Sequence, residues 1–257
     1  MSADTELDFA RETVESIINT VKKNLSKSLE IKYKSKFDLF TEMDKRVENK
    51  IVSSIRKNFP EDDIVTEESD LEQRGSDRVW YLDPISGSTN YAHGLPVYGI
   101  SLALEVEGEM KSGVIYNSVE DEVFYAEKNK GAFVEGREIS VSDVNEIEKA
   151  VVSTTFPYDE EERKRNLEYF DRIATKVEGI RRTGSVSVDL TYLALGTIYG
   201  FWSIGLEPWD SAAGWLLAEE SGGKVTRIDG GDYGLEADSM LVSNREIHEA
   251  MMENLKG

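Results

Sequence analysis

Apolar residues recur at helical spacing in two stretches near the start of the chain. From Leu7 to Leu25 they return every three or four positions, which predicts a first helix. Met43, Val47 and Ile55 belong to a second series that steps by four and ends before Pro60, so it predicts a second helix. Short β-like runs follow, and turn residues that separate the later runs predict an antiparallel sheet. The predicted strands cover residues 63–66, 78–82, 97–105, 113–117, 122–127 and 132–134.

The second half of the chain alternates between helical and strand-like patterns. Its predicted helices cover residues 159–177, 186–195 and 210–221, with a last helix from Asn244. Its predicted strands lie near Ile180 and over residues 198–204, 224–228 and 240–243. Such blocks predict a layered α+β fold. We expect two halves, residues 1–150 and 151–257, packed closely as one structural unit.

Composition and charge exclude several classes of function. The chain has 257 residues, 50 acidic and 30 basic, and its net charge of −20 argues against nucleic acid and anionic membranes as partners. The absence of cysteine excludes disulfides, thiolate zinc sites, iron–sulfur clusters and cysteine nucleophiles. Two histidines, His93 and His248, are too few for a histidine-rich metal site. No apolar run reaches the roughly 18 residues of a membrane span, and the acidic start does not resemble a signal peptide. We therefore expect a soluble, cytoplasmic protein.

Acidic residues stand at four places where the chain is expected to change direction. Asp44 lies in the first turn of the second predicted helix, and Glu67 and Glu68 follow a short strand. Asp83 ends a strand before a turn of small polar residues, and Asp210 takes the predicted N-cap position of an apolar helix. Taken singly, each has an ordinary structural explanation as a helix cap or a solvated charge.

Taken together, the acidic residues favour a metal site. Carboxylates at several strand and helix ends can converge on one point. With no cysteine and almost no histidine, a hard divalent cation such as Mg²⁺ is the natural occupant, and Mg²⁺ favours phosphorylated substrates. Free backbone N–H groups at Gly87, Ser88 and Thr89 would add an anion site if they open a helix.

Ordered motifs give this pattern a family resemblance. Residues 83–90 have the sequence Asp-Pro-Ile-Ser-Gly-Ser-Thr-Asn. This segment resembles the Asp-Pro-Ile-Asp-Gly-Thr-x-Asn signature of the inositol monophosphatase family. Trp-Asp-Ser-Ala-Ala-Gly at residues 209–214 resembles the second signature of that family. Three further segments match in type, order and approximate spacing. They are Asp38 to Asp44, Glu67-Glu68-Ser69 and Arg181 to Ser185.

The resemblance covers nearly the whole chain and implies a fold and an activity. The fold is a layered αβαβα sandwich, usually a homodimer. The activity is a Mg²⁺-dependent, lithium-sensitive phosphomonoesterase that acts on a small phosphorylated alcohol or sugar. Inositol monophosphate and, in archaeal members, fructose 1,6-bisphosphate are the implied substrates.

The resemblance also implies the metal ligands. Two or three Mg²⁺ ions bind in the family. Glu67, Asp83 and the carbonyl of Ile85 would hold the first ion, and Asp83 would bridge to a second ion that Asp210 also ligates. One ion would lower the pKa of the attacking water, and the other would stabilise the leaving alkoxide.

Further positions are implied for catalysis and substrate binding. The implied catalytic residues are Asp44, Ser88 and Glu67, and of these Asp44 and the Ser88 hydroxyl would orient and deprotonate the metal-bound water. Ser88 replaces the threonine that is usual in the family and keeps its hydroxyl. The implied substrate contacts are the amides of Gly87 and Ser88 for phosphate, and Gly184, Ser185 and Val186 for the alcohol portion.

Two positions depart from the family pattern. Ser86 stands where the signature has a second aspartate, a ligand of the second ion, so the site lacks one negative charge. Ser203 stands where many members carry a glutamate that touches substrate hydroxyls. Both serines remain candidates for substrate contact.

Three interpretations stay open. The first is a Mg²⁺-dependent phosphatase with a weakened second metal site. The second is an active member with a shifted substrate, such as a sugar bisphosphate or a nucleotide 3′-phosphate. The third is a non-catalytic binding or regulatory protein that keeps the fold.

Overall fold

A computed structural model describes residues 5–25, 31–33, 39–69, 71 and 73–256. Asp38, part of the first motif, lies outside these residues. The helices of the described residues are α1 (Glu6–Asn24), α2 (Glu42–Asn58), α3 (Ser88–Ala92), α4 (Glu160–Ala174), α5 (Val186–Ala194), α6 (Pro208–Glu220) and α7 (His248–Lys256). The strands are β1 (Ile31–Tyr33), β2 (Leu39–Thr41), β3 (Asp63–Thr66), β4 (Arg78–Ser86), β5 (Gly99–Val106), β6 (Glu109–Asn117), β7 (Glu122–Glu127), β8 (Gly131–Val134), β9 (Arg137–Ile139), β10 (Val151–Thr154), β11 (Gly179–Arg181), β12 (Gly200–Ile204), β13 (Lys224–Thr226) and β14 (Ser239–Ser243).

Two large sheets organise the described residues. The first has seven strands in chain order, β3 to β9, and the second has five in the order β11-β10-β12-β14-β13. The antiparallel prediction is confirmed from β4 to β9. It is wrong for β3, which runs parallel to β4. A long connection over residues 67–77 returns the chain to the starting end of β3, whereas a tight turn would have reversed it.

Helices alternate with the sheets in five layers. α1 and α2 pack on one face of the seven-stranded sheet, where Val14, Val47 and Trp80 belong to one buried cluster. α6 covers the other face of that sheet. Together with α5 it also packs on the five-stranded sheet, where Leu190 meets the core beneath β12. α4 and α7 cover the outer face. The predicted αβαβα sandwich is therefore confirmed. No helix among the described residues is long and apolar enough to cross a bilayer.

Two helix starts differ from the sequence prediction. Asp210 is not the N-cap of α6, because the helix begins at Pro208 and Glu207 takes the cap position. The last helix begins at His248 and not at Asn244, whose side-chain oxygen instead accepts a hydrogen bond from the Ile247 amide at 3.1 Å. That bond closes a turn before the helix.

Candidate active site

A cavity of about 570 Å³ opens where the ends of several elements meet. Glu67 after β3, Asp83 in β4 and Asp210 in α6 line one part of its wall. The elbow between β4 and α3 lines another. The volume is typical of a site for a small molecule. The structure thus brings together carboxylates that are far apart in the sequence.

Asp44 and Asp210 are held in the same way. Each is the third residue of its helix, and each accepts a hydrogen bond from the backbone N–H of the cap residue. The Thr41 amide donates to Asp44 Oδ2 at 2.8 Å, and the Glu207 amide donates to Asp210 Oδ2 at 2.9 Å. These capping boxes fix both side chains relative to their helix axes.

Ser88 connects the elbow to Asp44. Its hydroxyl donates to Asp44 Oδ1 and lies 2.9 Å from the carbonyl oxygen of Ile85. Asp44 is fully buried and Ser88 nearly so. A hydroxyl that bonds to a buried carboxylate can receive a proton from water and pass one on, which is the role predicted for this pair.

The elbow requires glycine at its corner. Gly87 has φ +98°, and a Cβ there would lie 3.1 Å from the carbonyl oxygens of both Gly184 and Val97. Gly87 is also the N-cap of α3, and among the described residues no side chain caps that helix. The close approach of Gly184 therefore brings residues 184–186, predicted to contact the alcohol portion of the substrate, beside Gly87 and Ser88, predicted to bind its phosphate.

Asn90 links the elbow to the segment that contains Gly184 through hydrogen bonds. The sequence did not indicate this role. Its side-chain amide donates to the carbonyls of Val97 and Thr183, each at 2.8 Å. Asn90 is part of the quoted signature, so the motif was the signal. Its partners are distant in sequence, and only the fold identifies them.

Asp83 is a buried carboxyl group with other carboxylates close to it. It is 2 % exposed, and its Oδ1 has no hydrogen-bond partner among the described residues. Burial raises the pKa of Asp83 well above its usual range, and Glu67, Asp210 and, more weakly, Asp44 raise it further. The neighbouring Ser86 hydroxyl opposes that rise in pKa. A positive ion in the pocket would relieve both the repulsion and the unpaired oxygen.

The donor set fits a hard divalent cation. Carboxylate oxygens and the Ile85 carbonyl are ligands that Mg²⁺ prefers. Among the described residues, however, no three acidic or histidine side chains already surround one point as a ready-made metal group. Glu67, Asp83 and Asp210 would therefore have to close on the ion.

Ser86 bonds to the segment around the start of α5. Its oxygen accepts from the Ser185 hydroxyl at 3.1 Å and from the Ser187 amide at 3.3 Å. Ser185 and Ser187 are also 3.2 Å apart through their hydroxyl oxygens. Ser86, where the resemblance implies an aspartate, is thus part of a neutral, buried hydroxyl cluster.

The remaining predicted substrate residues divide between the pocket and the core. Gly184 and Val186 line the cavity, whereas Ser185 is buried as the cap of α5. Ser203 is fully buried, and its hydroxyl lies 3.3 Å from the carbonyl of Ile204. The part of the chain that the structure describes brings Ile204, but not Ser203, to the pocket wall.

Arg163 and Arg182 also line the pocket, and neither is among the predicted site residues. Arg163 Nε donates to the carbonyl of Pro157 at 2.9 Å, and the Arg182 guanidinium lies 6.0 Å from the centre of the Phe156 ring. Arg182 belongs to the quoted segment from Arg181 to Ser185, which was its signal, whereas no motif marks Arg163 and only the fold shows that it faces the cavity.

The sequence and the structure were compared with known proteins. The model of the inositol monophosphatase family matches residues 3–256. Phosphatase IMPL1, chloroplastic, of Arabidopsis thaliana is 35% identical over 239 residues, which are 90% of this chain and 64% of that protein. Nus factor SuhB of Escherichia coli strain K12 is 33% identical over 231 residues, 89% of this chain and 86% of that protein. The solved structure of a Thermotoga maritima IMPase is similar with a TM-score of 0.89 at 32% identity, covering 97% of this chain and 96% of that chain.

Proposed function

Because the chain belongs to the inositol monophosphatase family and is thereby a phosphoric monoester hydrolase, we propose that it hydrolyses a small phosphorylated alcohol or sugar with the help of Mg²⁺. Inositol monophosphate and fructose 1,6-bisphosphate are the proposed substrates. The observation that carries the proposal is the buried Asp83, whose unpaired oxygen lies in a pocket shared with Glu67 and Asp210. A homodimer is the proposed assembly.

Four groups of this chain would hold the metal. They are the carboxylates of Glu67, Asp83 and Asp210 and the carbonyl of Ile85. When bound, Mg²⁺ would lower the pKa of the attacking water and neutralise negative charge on the phosphate and the leaving oxygen. Phosphoryl transfer needs mostly positioning and charge neutralisation, so a covalent nucleophile is not required.

Asp44 and Ser88 would manage the proton of the attacking water. The Ser88 hydroxyl already donates to Asp44 Oδ1. The Ser88 oxygen can therefore accept a proton from the attacking water while the Ser88 hydroxyl proton passes to Asp44. The amides of Gly87 and Ser88 would receive phosphate oxygens. Asn90 and the Gly184 segment would hold the alcohol portion in line with that phosphate.

Ser86 supports a second candidate function. With a neutral residue at this position, Asp83 and Asp210 remain as carboxylates for the second ion, which weakens that site. One relative carries the name Nus factor, a regulatory name for a protein with this fold. A regulatory protein with little or no catalysis is therefore the alternative to the enzyme.

A substrate panel separates the two functions. Phosphate release would be measured from inositol 1-phosphate, fructose 1,6-bisphosphate and adenosine 3′,5′-bisphosphate at high Mg²⁺. We expect turnover of at least one monoester, and a loss of about 100-fold or more in Asp210→Asn because a metal ligand is weakened. Asp171→Asn is the matched control, since Asp171 is exposed on α4.

Unchanged activity in Asp210→Asn would contradict the metal assignment. No turnover of any of the three compounds by folded protein would favour the regulatory function. Turnover of the adenosine compound alone would move the substrate class to nucleotide 3′-phosphates.

A further inference from the structure

We infer that Glu48 is a positioning residue that sets the place of Glu67 in the proposed metal site, an inference that rests on the proposed function. Glu48 lies on α2 and is 3 % exposed. The carboxylate does not need to touch the ion or the substrate. It acts through the segment that carries Glu67.

Glu48 accepts three hydrogen bonds from that segment. The Thr66 hydroxyl donates to Glu48 Oε2 at 2.7 Å, and the Glu68 amide donates to the same oxygen at 3.0 Å. The Ser69 hydroxyl donates to Oε1. Both carboxylate oxygens are therefore engaged, and the anchored residues stand on either side of Glu67.

The bonds matter because the segment leaves regular structure at this point. β3 ends at Thr66, so the backbone of Glu67 and Glu68 has no ladder to hold it. Hydrogen bonds to a buried carboxylate are roughly twice as strong as neutral ones. Glu48 thus replaces the sheet as the support for a proposed ligand.

The same helix holds a second part of the site. Asp44 precedes Glu48 by one helical turn, so the two carboxylates lie on one face of α2. Asp44 accepts from Ser88 in the elbow, and Glu48 accepts from the Glu67 segment. One rigid helix therefore fixes the spacing between the water-activating pair and a metal ligand.

The opposite end of β3 offers a matched control. Asp63 is also buried, and it accepts from the amides of Arg74, Gly75 and Ser76 at 2.5, 2.9 and 2.9 Å. It anchors a loop by the same chemistry. These amides belong to the same 67–77 connection as Glu67, but they lie beside the first residue of β3, at the end of the strand away from Glu67.

The test compares Glu48→Gln with Asp63→Asn in the full chain. Binding of Mg²⁺ alone is measured by calorimetry, and activity is measured against Mg²⁺ and against inositol 1-phosphate. In Glu48→Gln, the side-chain NH₂ replaces one of the two oxygens that accept hydrogen bonds from Thr66, Glu68 and Ser69. The NH₂ group is a donor and cannot accept those bonds. We expect Mg²⁺ affinity to fall about 10- to 100-fold, the range for residues that orient a ligand. The Mg²⁺ concentration for half-maximal activity should rise by the same factor, with little change in KM at saturating Mg²⁺.

Asp63→Asn should lower stability without changing Mg²⁺ affinity. If Glu48→Gln does not fold, Ser69→Ala and Thr66→Val remove single bonds to Glu48 and should each give a smaller loss of affinity. Wild-type affinity in the folded Glu48 variant, or in both single-bond variants, would overturn the inference. So would an equal loss in Asp63→Asn. Wild-type protein that binds no Mg²⁺ and has no activity would overturn the proposed function itself, and with it the role of Glu48.

Discussion

Asp44 and Asp210 each use one carboxylate for two contacts. One oxygen caps the helix through the amide of the cap residue. Asp44 offers its other oxygen to Ser88, and Asp210 lines the cavity. The structural role of these two residues is therefore compatible with the proposed functional one. The cap supplies the rigidity that a catalytic or metal-binding carboxylate needs.

Ser86 stands where the family resemblance implies a carboxylate. We predict that Ser86→Asp lowers the Mg²⁺ concentration needed for half-maximal activity, because it restores a carboxylate to the second ion. Without Mg²⁺ the variant should melt below wild type, since a new negative charge would lie beside the buried Asp83. Mg²⁺ should reverse that difference in Tm. Activity is followed by phosphate release and stability by thermal unfolding.

Ser86→Asn separates charge from size. It adds a side chain similar in volume to aspartate but no charge, so it should not lower the Mg²⁺ requirement. A Mg²⁺ requirement that does not fall in Ser86→Asp, or that falls equally in both variants, would contradict the proposed effect of charge at this position.

At the scale of elements, the elbow depends on how closely two segments approach. We predict that Gly87→Ala lowers the free energy of unfolding by more than Gly108→Ala does. Both glycines have positive φ, which costs alanine about 1–2 kcal/mol. The Gly108 Cβ would meet no atom within 4 Å among the described residues, whereas the Gly87 Cβ would crowd two carbonyl oxygens. Crowding adds about 1–3 kcal/mol.

Urea unfolding of the two variants measures the difference. Gly108→Ala should retain wild-type activity, because its turn lies between β5 and β6 and does not line the site. Gly87→Ala should lose activity as the Gly184 segment moves away. Equal losses of stability in the two variants would show that the approach of Gly184 is not tight.

The elements differ in how well the sequence predicts them. Residues 63–66 and 122–127 were predicted with the observed bounds of β3 and β7, because apolar runs there are bounded by turn residues. The short α3 is only a possibility from the sequence, since five residues give no apolar periodicity. β4 extends to Ser86 and not only to Leu82, because its pairing with β5 continues past a bulge. Long-range pairing has no local signal.

The same limit applies to the site. Asp44, Glu67, Asp83 and Asp210 were identified through their motifs, and the structure brings Glu67, Asp83 and Asp210 to one cavity. Glu48 was missed. Its spacing from Asp44 predicts only a shared helix face, and its partners lie about twenty positions further along the chain.

At the scale of the whole molecule, the layer between the two sheets contains a buried acid. Asp189 lies on α5 and is fully buried, and neither of its carboxylate oxygens has a hydrogen-bond partner among the described residues. Burial raises the pKa of Asp189 to about 8. Thr183, Ser153 and Arg182 are near enough to oppose that rise only in part. The folded molecule therefore keeps a proton on this group at neutral pH.

The proton makes stability depend on pH. Unfolded Asp189 ionises near its ordinary value of 3.8, whereas the folded form holds its proton up to about 8. The group's contribution to stability is thus fully present below 3.8 and is lost as the pH rises toward 8, by at most about 1.4 kcal/mol per pH unit. Asp189→Asn removes this dependence.

We predict that Asp189→Asn gains stability relative to wild type as the pH rises from about 4 to about 8. Urea unfolding of both proteins at several pH values measures this difference. The amide itself adds an offset that does not change with pH. A difference in unfolding free energy that stays constant across this range would show that Asp189 is ionised in the folded protein.

The central claim is that the carboxylate pocket hydrolyses phosphate monoesters through Mg²⁺. The most direct measurement is phosphate release from inositol 1-phosphate and fructose 1,6-bisphosphate as Mg²⁺ is raised from zero, with EDTA, to tens of millimolar. We expect no release in EDTA and release that increases with Mg²⁺, with a high half-maximal concentration because Ser86 would weaken the second site. Release that persists in EDTA, or none at any Mg²⁺ concentration from folded protein, would contradict it.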